Sequence, residues 1–127
     1  EAVPSFFGDF DLAGTVFNIS LAVQSSIALG MAGFDGKGSV FTEGGFRKNE
    51  NYNAVLAATY PDSLVATTQL EEATAFGAAL LGKAALDKTT PSSLGELFDI
   101  DINEVDKPDL PGLPEYSAEM RRLIREG

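Results

Sequence analysis

Hydrophobic side chains recur in the first third of the chain with the period of an α-helix. Between Asp11 and Met31 they are spaced three or four residues apart, which predicts one long helix with an apolar stripe. The stripe consists of Leu12, Val16, Ile19, Val23, Ile27 and Met31. The sequence predicts two further helices, one over Asn49 to Tyr60 and one from Glu71 to about Leu86. Pro61 directly after the second marks its end.

Two short runs with β-forming character lie between these helices. They are Ser39 to Thr42 and Leu64 to Thr68, and turn-forming residues border them. Each strand–helix–strand step implies a right-handed crossover and parallel pairing. We therefore predict an α/β fold with alternating helices and short parallel strands. Two strands make a thin sheet, so further strands are expected from upstream or from a partner.

The composition changes near residue 87. Residues 1–87 are rich in small and apolar side chains and are predicted to form the packed domain. Residues 88–127 contain four prolines and, between Glu96 and Asp109, six acids against one base. We predict that this second part is an irregular acidic arm that ends in a short helix.

Composition and charge restrict the possible partners. The chain is 44% hydrophobic and 22% charged, which fits an ordinary domain with a core. We expect no membrane partner, because no apolar run is seen to approach the roughly 20 residues that span a bilayer. Nineteen acidic against nine basic side chains give a net charge of −10, so we also expect no nucleic-acid partner. The chain begins at Glu1 without a signal-like segment, and we expect it to be a piece of something longer.

The chain contains neither cysteine nor histidine. This excludes thiolate nucleophiles, histidine bases and the usual zinc sites, and it gives no sign of an oxidising compartment. Asp9 and Asp11 are interpreted as the acidic first turn of a helix. Asp99 and the acids after it are interpreted as a solvated loop, because Glu104 stands where a calcium loop needs glycine. We predict no catalytic residue and no metal ligand in this chain.

The turn Glu43-Gly44-Gly45-Phe46-Arg47-Lys48-Asn49 carries the most information about a ligand. Two glycines between a strand and a helix let a flat ligand approach the main chain closely. Asn49 has an amide that can both donate and accept hydrogen bonds. The alternative is a plain strand-to-helix turn in which Asn49 caps the helix.

The segments after this turn resemble the C-terminal domain of the FGGY carbohydrate kinases, which belong to the actin-like, sugar-kinase superfamily. The resemblance covers about Leu12 to Leu86 and rests on two ordered motifs. The first is Gly44-Gly45 followed by Asn49, and the second is the family signature E-x-x-A-x-G-A-A on a later helix. In this chain the signature is formed by Glu72, Ala75, Gly77, Ala78 and Ala79. The small residues of this helix, with Gly82, also predict close packing against the sheet.

The resemblance implies a ribonuclease-H-like domain of an ATP-dependent sugar kinase, with Mg²⁺ as the second cofactor and a cytoplasmic location. The ATP-binding residues it implies are Gly44 and Gly45 as a platform for adenine, with Phe46 and Asn49 beside the base. The family's catalytic aspartate, phosphate hairpins and sugar contacts lie upstream, so we expect this segment alone to be inactive. Ser25-Ser26 stand where the family usually has a Glu-Gly pair.

The alternative function is a small non-catalytic nucleotide-binding or protein-interaction domain. In either case an unpaired sheet edge and an apolar flank on the first helix favour a homo-oligomer. The arm could instead fold back, with Leu94, Leu97 and Phe98 covering part of that gap.

Overall fold

The protein is an α/β fold with a mixed three-stranded sheet, as seen in a computed structural model that describes residues 3–70, 72–95 and 98–126. The predicted α/β class is confirmed at this level. In chain order the elements are α1 (Phe10–Met31), β1 (Gly38–Thr42), α2 (Glu50–Thr59), β2 (Ser63–Thr68), α3 (Ala73–Asp87), α4 (Pro91–Gly95), β3 (Ile102–Glu104) and α5 (Leu113–Glu126), with 3-10 turns at Ser5–Gly8 and Gly44–Lys48.

Helix α1 begins where the sequence predicts, because Asp9 caps it. The Asp9 carboxylate accepts a hydrogen bond from the backbone N–H of Leu12 at 3.0 Å, which satisfies one of the free amides of the first turn. The interpretation of Asp9 and Asp11 as the acidic start of a helix is therefore confirmed. Of the predicted stripe only Val23 is fully buried; Ala22 and Ser26 beside it are the other buried residues of α1.

Strands β1 and β2 pair in parallel, as predicted, with α2 as the crossover between them. Val40 lies opposite Val65 in the register. Both valines belong to the core, together with Tyr52, Val55 and Leu56 of α2 and Ala22 of α1. Three of the four residues predicted for the inner face of α2 are thus buried, which follows from their helical spacing.

The arm is more regular than predicted. Strand β3 pairs antiparallel with the other edge of β2, and the N–H of Val105 donates to the carbonyl of Val65 at 2.9 Å. All three residues of β3 are exposed, so backbone bonding rather than an apolar side-chain pattern places this strand. Val105, Leu110 and Leu113 pack against the core, and α5 is 14 residues long rather than short.

The predicted close packing of α3 on the sheet is not found. Ala84 is the one buried residue of α3 among the described residues, and a Cβ at Gly77 or Gly82 would meet nothing within 4 Å. The arm folds back onto α3 instead, since Phe98 packs edge-on against Phe76 with ring centroids 5.0 Å apart. Leu94 is buried nearby, whereas Leu97 lies outside the described residues.

The length of α1 corrects the expectation about apolar runs. With 22 residues, and no charged side chain after Asp11, α1 is long and apolar enough to cross a membrane by length and composition. In the sequence, Asn18, Ser20 and Gln24 interrupt the run of apolar residues. They are polar but uncharged, so the mean hydropathy of the helix stays high. Core helices of soluble proteins and signal sequences pass the same test, so this helix alone does not identify a membrane protein.

Candidate functional site

The Gly-Gly turn lies at the carboxyl end of β1 and leads into α2. It forms a 3-10 turn over Gly44–Lys48. Gly44 has a φ of +61°, in the left-handed region that a side chain disfavours, so glycine is the natural residue here. The turn lies where open α/β sheets bind ligands, at the carboxyl end of a parallel strand.

The backbone of both glycines faces open space. A Cβ built on Gly44 or Gly45 would meet no atom within 4 Å. Beside them is a shallow concavity of about 430 Å³, lined by Gly45, Lys48, Asn49, Glu50 and Asn51. The structure therefore brings two of the four predicted ligand residues, Gly45 and Asn49, to one recess.

Phe46 lies on the same turn and is half exposed. Its side chain is 47% exposed, and its ring packs against Tyr52 of α2 with centroids 4.9 Å apart. The Tyr52 hydroxyl in turn donates to the Ser25 hydroxyl of α1 at 2.9 Å. One face of Phe46 is thus fixed by the fold, while the rest of the ring is accessible.

Asn49 caps α2, as the plainer of the two interpretations predicts. Its Oδ1 accepts from the N–H of Tyr52 at 3.0 Å, and its Nδ2 donates to Oδ1 of Asn18 at 2.8 Å. An amide has two donor hydrogens and two acceptor lone pairs. One hydrogen and one lone pair therefore remain after these bonds, so the cap and a ligand contact are compatible.

Asn53 holds the turn in place, and sequence reasoning missed it. The side chain is 2% exposed, and Nδ2 donates to the carbonyl of Phe46 at 2.8 Å. Its Oδ1 accepts from the Thr42 hydroxyl at 2.7 Å. Because Asn53 lies three residues before Leu56, helical spacing puts it on the buried side of α2, and that is the signal that could have found it.

Thr68, at the end of β2, also contacts the turn and the residue before it. Arg47 donates from Nη1 to the carbonyl of Thr68 at 3.2 Å. The Thr68 hydroxyl donates to Oε1 of Glu43. Oε2 of Glu43 is buried and has no hydrogen-bond partner within the described residues. The turn is therefore joined to the ends of both parallel strands.

Ser25 and Ser26 of α1 connect three helices through hydrogen bonds to α2 and α5. Ser26 is buried, and its hydroxyl accepts from Nη2 of Arg121 of α5 at 3.1 Å. The Tyr60 hydroxyl donates to the carbonyl of Ser26 at 3.1 Å. Burial raises the pKa of Tyr60, and the nearby charge of Arg121 and the bond to Ser26 oppose that effect.

Within residues 3–70, 72–95 and 98–126, no three acidic side chains come together as a metal site. The site combines an open glycine backbone, a half-exposed aromatic ring and a helix cap. Comparison of the chain with protein-family models, with curated proteins and with solved structures gives no match.

Proposed function

We propose that this chain supplies the adenine-binding side of an ATP-dependent carbohydrate kinase. The complete protein transfers the γ-phosphoryl group of ATP, bound with Mg²⁺, to a sugar hydroxyl, in the manner of the FGGY kinases that the motifs resemble. The observation that carries this proposal is the Gly44-Gly45 backbone, which is open to solvent at the carboxyl end of a parallel strand.

A flat base is the ligand that suits this surface. A purine can approach a backbone most closely where no Cβ intervenes, and both glycines meet that condition. The half-exposed ring of Phe46 adds an aromatic contact at the side of the platform. The remaining hydrogen and lone pair of Asn49 suit the edge of adenine, which presents donors and acceptors together.

Phosphoryl transfer depends on groups that position and neutralise the phosphates. The recess by Gly45 contains one cation, Lys48, next to the carboxylate of Glu50. In the proposal the catalytic aspartate and the phosphate hairpins belong to other parts of the kinase. The chain alone is therefore expected to bind nucleotide weakly and to catalyse nothing.

The same proposal assigns the α/β fold more narrowly, to part of a ribonuclease-H-like domain. In the described part of the chain β1 has a neighbour on one side only, because the sheet order is β1-β2-β3. Further strands placed beside β1 would extend the parallel sheet. Helix α1 also leaves apolar side chains exposed, among them Leu12 and Phe17.

Nucleotide titration of the 127-residue chain, followed by amide NMR, tests the proposal. We expect adenosine and ADP to shift the amides of Gly44 to Asn49 at millimolar concentration. Gly45→Val should abolish the shifts, since the new side chain occupies the platform. The matched control is Gly30→Val, which adds the same side chain at another open glycine. Retained shifts in a folded Gly45→Val protein would refute the adenine platform.

An activity measurement tests whether the catalytic groups lie outside this chain. Sugar-dependent release of ADP by the purified chain should not exceed background for pentoses, hexoses or polyols. Turnover above background would show that the catalytic base and the phosphate-binding residues lie within this chain, which would contradict the proposal.

A second candidate, a protein-interaction module, is favoured by the extent of the surface. The accessible surface is 8890 Å², whereas a compact monomer of 13.4 kDa has about 6,500 Å². The fold thus leaves about 2,400 Å² more surface uncovered than a compact monomer of this mass. In this candidate the exposed apolar residues of α1 and α3 bind a second copy, as in the predicted homo-oligomer.

A further inference from the structure

Basic side chains are concentrated at one place on this acidic protein. Four of the chain's nine basic residues line a cleft of about 1000 Å³ between the end of α2 and α5, here called the α2–α5 cleft. The four are Lys107, Arg121, Arg122 and Arg125. None of the residues that line the cleft belongs to the Gly44–Lys48 turn or to Asn49, so this surface is separate from the proposed adenine platform.

Three of these four cations have no carboxylate partner among the described residues. Arg122 is neutralised within α5 by Glu119 and Glu126. Lys107 donates to the carbonyl of Pro61 at 3.0 Å, and Arg121 donates to the Ser26 hydroxyl. Arg125 takes part in none of the ion pairs or side-chain hydrogen bonds found in the described chain. The acids that line the cleft are Asp109 and Glu126.

The helix geometry explains part of this cluster but not all of it. Lys107 lies against the carbonyl-rich end of α2, where a cation is favourable without any ligand. Arg125 stands in the last turn of α5 and is likewise favoured by that helix. Neither effect explains why Arg121 and Arg125 line the same cleft as Lys107, in a chain with a net charge of −10.

The remaining wall of the α2–α5 cleft is largely apolar. It contains prolines, alanines and two leucines from α2, the loop before α5 and α5 itself. The apolar residues are Ala58, Pro61, Pro108, Leu110, Leu113, Pro114 and Ala118. The cleft thus combines an apolar wall with several guanidinium groups, and its volume is that of a site for a small organic molecule.

We propose that the α2–α5 cleft binds a small amphipathic anion, in which a carboxylate or phosphate head is attached to an aliphatic or aromatic body. Arg121 and Arg125 hold the head, because planar guanidinium groups match the geometry of both kinds of anion. The body packs against Leu110 and Leu113. The site goes beyond the proposed kinase role and does not depend on it.

Titration calorimetry with four probes tests the chemistry of the ligand. The probes are octanoate, octyl phosphate, octanamide and inorganic phosphate. We expect one octanoate or octyl phosphate to bind per chain, with affinity that falls as salt is raised. Octanamide, which has the same body without the charge, and inorganic phosphate, which has no body, should each bind at least about tenfold more weakly. The two octyl anions distinguish a carboxylate ligand from a phosphate ligand.

Charge variants test the residues. Arg125→Gln should lower the affinity for octanoate about tenfold without changing the fold, since this side chain makes no internal bond in the described chain. Arg121→Gln should lower it as well. Lys83→Gln is the matched control, because it makes the same change in net charge at an exposed pair on α3.

Several results would overturn the proposal. Equal binding of octanoate and octanamide would show a merely apolar surface, and equal binding of octyl phosphate and inorganic phosphate would show a simple anion site. An unchanged affinity of Arg125→Gln for octanoate would exclude the proposed contact between Arg125 and the anionic head of the ligand. Binding to anionic vesicles with no binding of the soluble octyl anions would indicate a membrane surface instead.

Discussion

Replacing Asn53 by alanine tests how the Gly-Gly turn is held at the end of β1. Asn53 joins three elements, since its amide bonds the Phe46 carbonyl of the turn and the Thr42 hydroxyl of β1 while its backbone belongs to α2. The variant leaves the buried Thr42 hydroxyl without this partner, whereas the Phe46 carbonyl keeps the bond that it accepts from the N–H of Asn49. We expect a large loss of stability together with a rearranged turn.

The magnitude follows from the two lost bonds. A buried polar group that loses its partner costs about 1–3 kcal/mol. Alanine is a better helix former than asparagine by about 0.6 kcal/mol, which offsets part of the loss. The bond to the Phe46 carbonyl adds the smaller cost of an ordinary hydrogen bond, about 0.5–1.5 kcal/mol, because that carbonyl keeps a second partner. We therefore expect Asn53→Ala to lower the free energy of unfolding by roughly 1–4 kcal/mol. This is a large share of the roughly 5–15 kcal/mol that stabilises a domain.

Urea unfolding followed by circular dichroism measures this loss. Asn51→Ala is the matched control, because Asn51 is an exposed residue on the same helix. That variant should be unchanged or slightly more stable, from helix propensity alone. A double-mutant cycle with Thr42→Val should give a coupling of about 0.5–3 kcal/mol, since the two side chains contact each other.

The reasoning is refuted if Asn53→Ala and Asn51→Ala unfold at the same urea concentration. It is also refuted if Asn53→Ala destabilises the protein but leaves the amide signals of Gly44 to Lys48 unshifted. In that case Asn53 would contribute to packing alone and would not position the turn.

Three further predictions concern the backbone, the titration of the partly buried phenol of Tyr60 and association. Gly44→Ala should lower the free energy of unfolding by about 1–2 kcal/mol because φ is positive there, whereas Gly45→Ala should not; equal urea midpoints would contradict this. The pKa of Tyr60 is raised above 10.0 by burial, so the stability linked to its neutral form is complete below pH 10 and is lost as pH rises through the raised pKa. Absorbance at alkaline pH should show Tyr60 ionising late, and Tyr60→Phe should remove that share of the alkaline loss. Light scattering at micromolar concentration should show a dimer, and a strict monomer would exclude self-association through the exposed faces of α1 and α3.

The main elements up to residue 68 were predictable because their signals are local. The spacing of apolar residues in α1 and α2 and the β-forming runs at β1 and β2 place these elements within two residues of their observed ends. Parallel pairing follows from the handedness of crossovers. The cap at Asn49 was one of two interpretations, and the structure confirms it.

The rest depends on non-local contacts. Strand β3 consists of Ile102, Asn103 and Glu104, which show no alternation of apolar and polar residues. Backbone hydrogen bonds to β2 place this strand, and the sequence carries no signal for them. The small residues of α3 predicted close packing, yet a sequence does not say which surface they meet. In the site, the glycines could be found by their spacing, whereas the bond between Arg47 and Thr68 joins residues 21 positions apart.

The two edges of the sheet differ in charge, with a consequence for how the sheet grows. Strand β3 carries Glu104, and Asp101 and Asp106 lie close to its ends. Carboxylates along an edge repel a further acidic strand and discourage sheet-to-sheet aggregation. Strand β1, at the opposite edge, has no charged residue between Gly38 and Thr42. We therefore expect an added strand, whether from the same protein, a partner or an aggregate, to join at β1, so that the sheet extends in one direction.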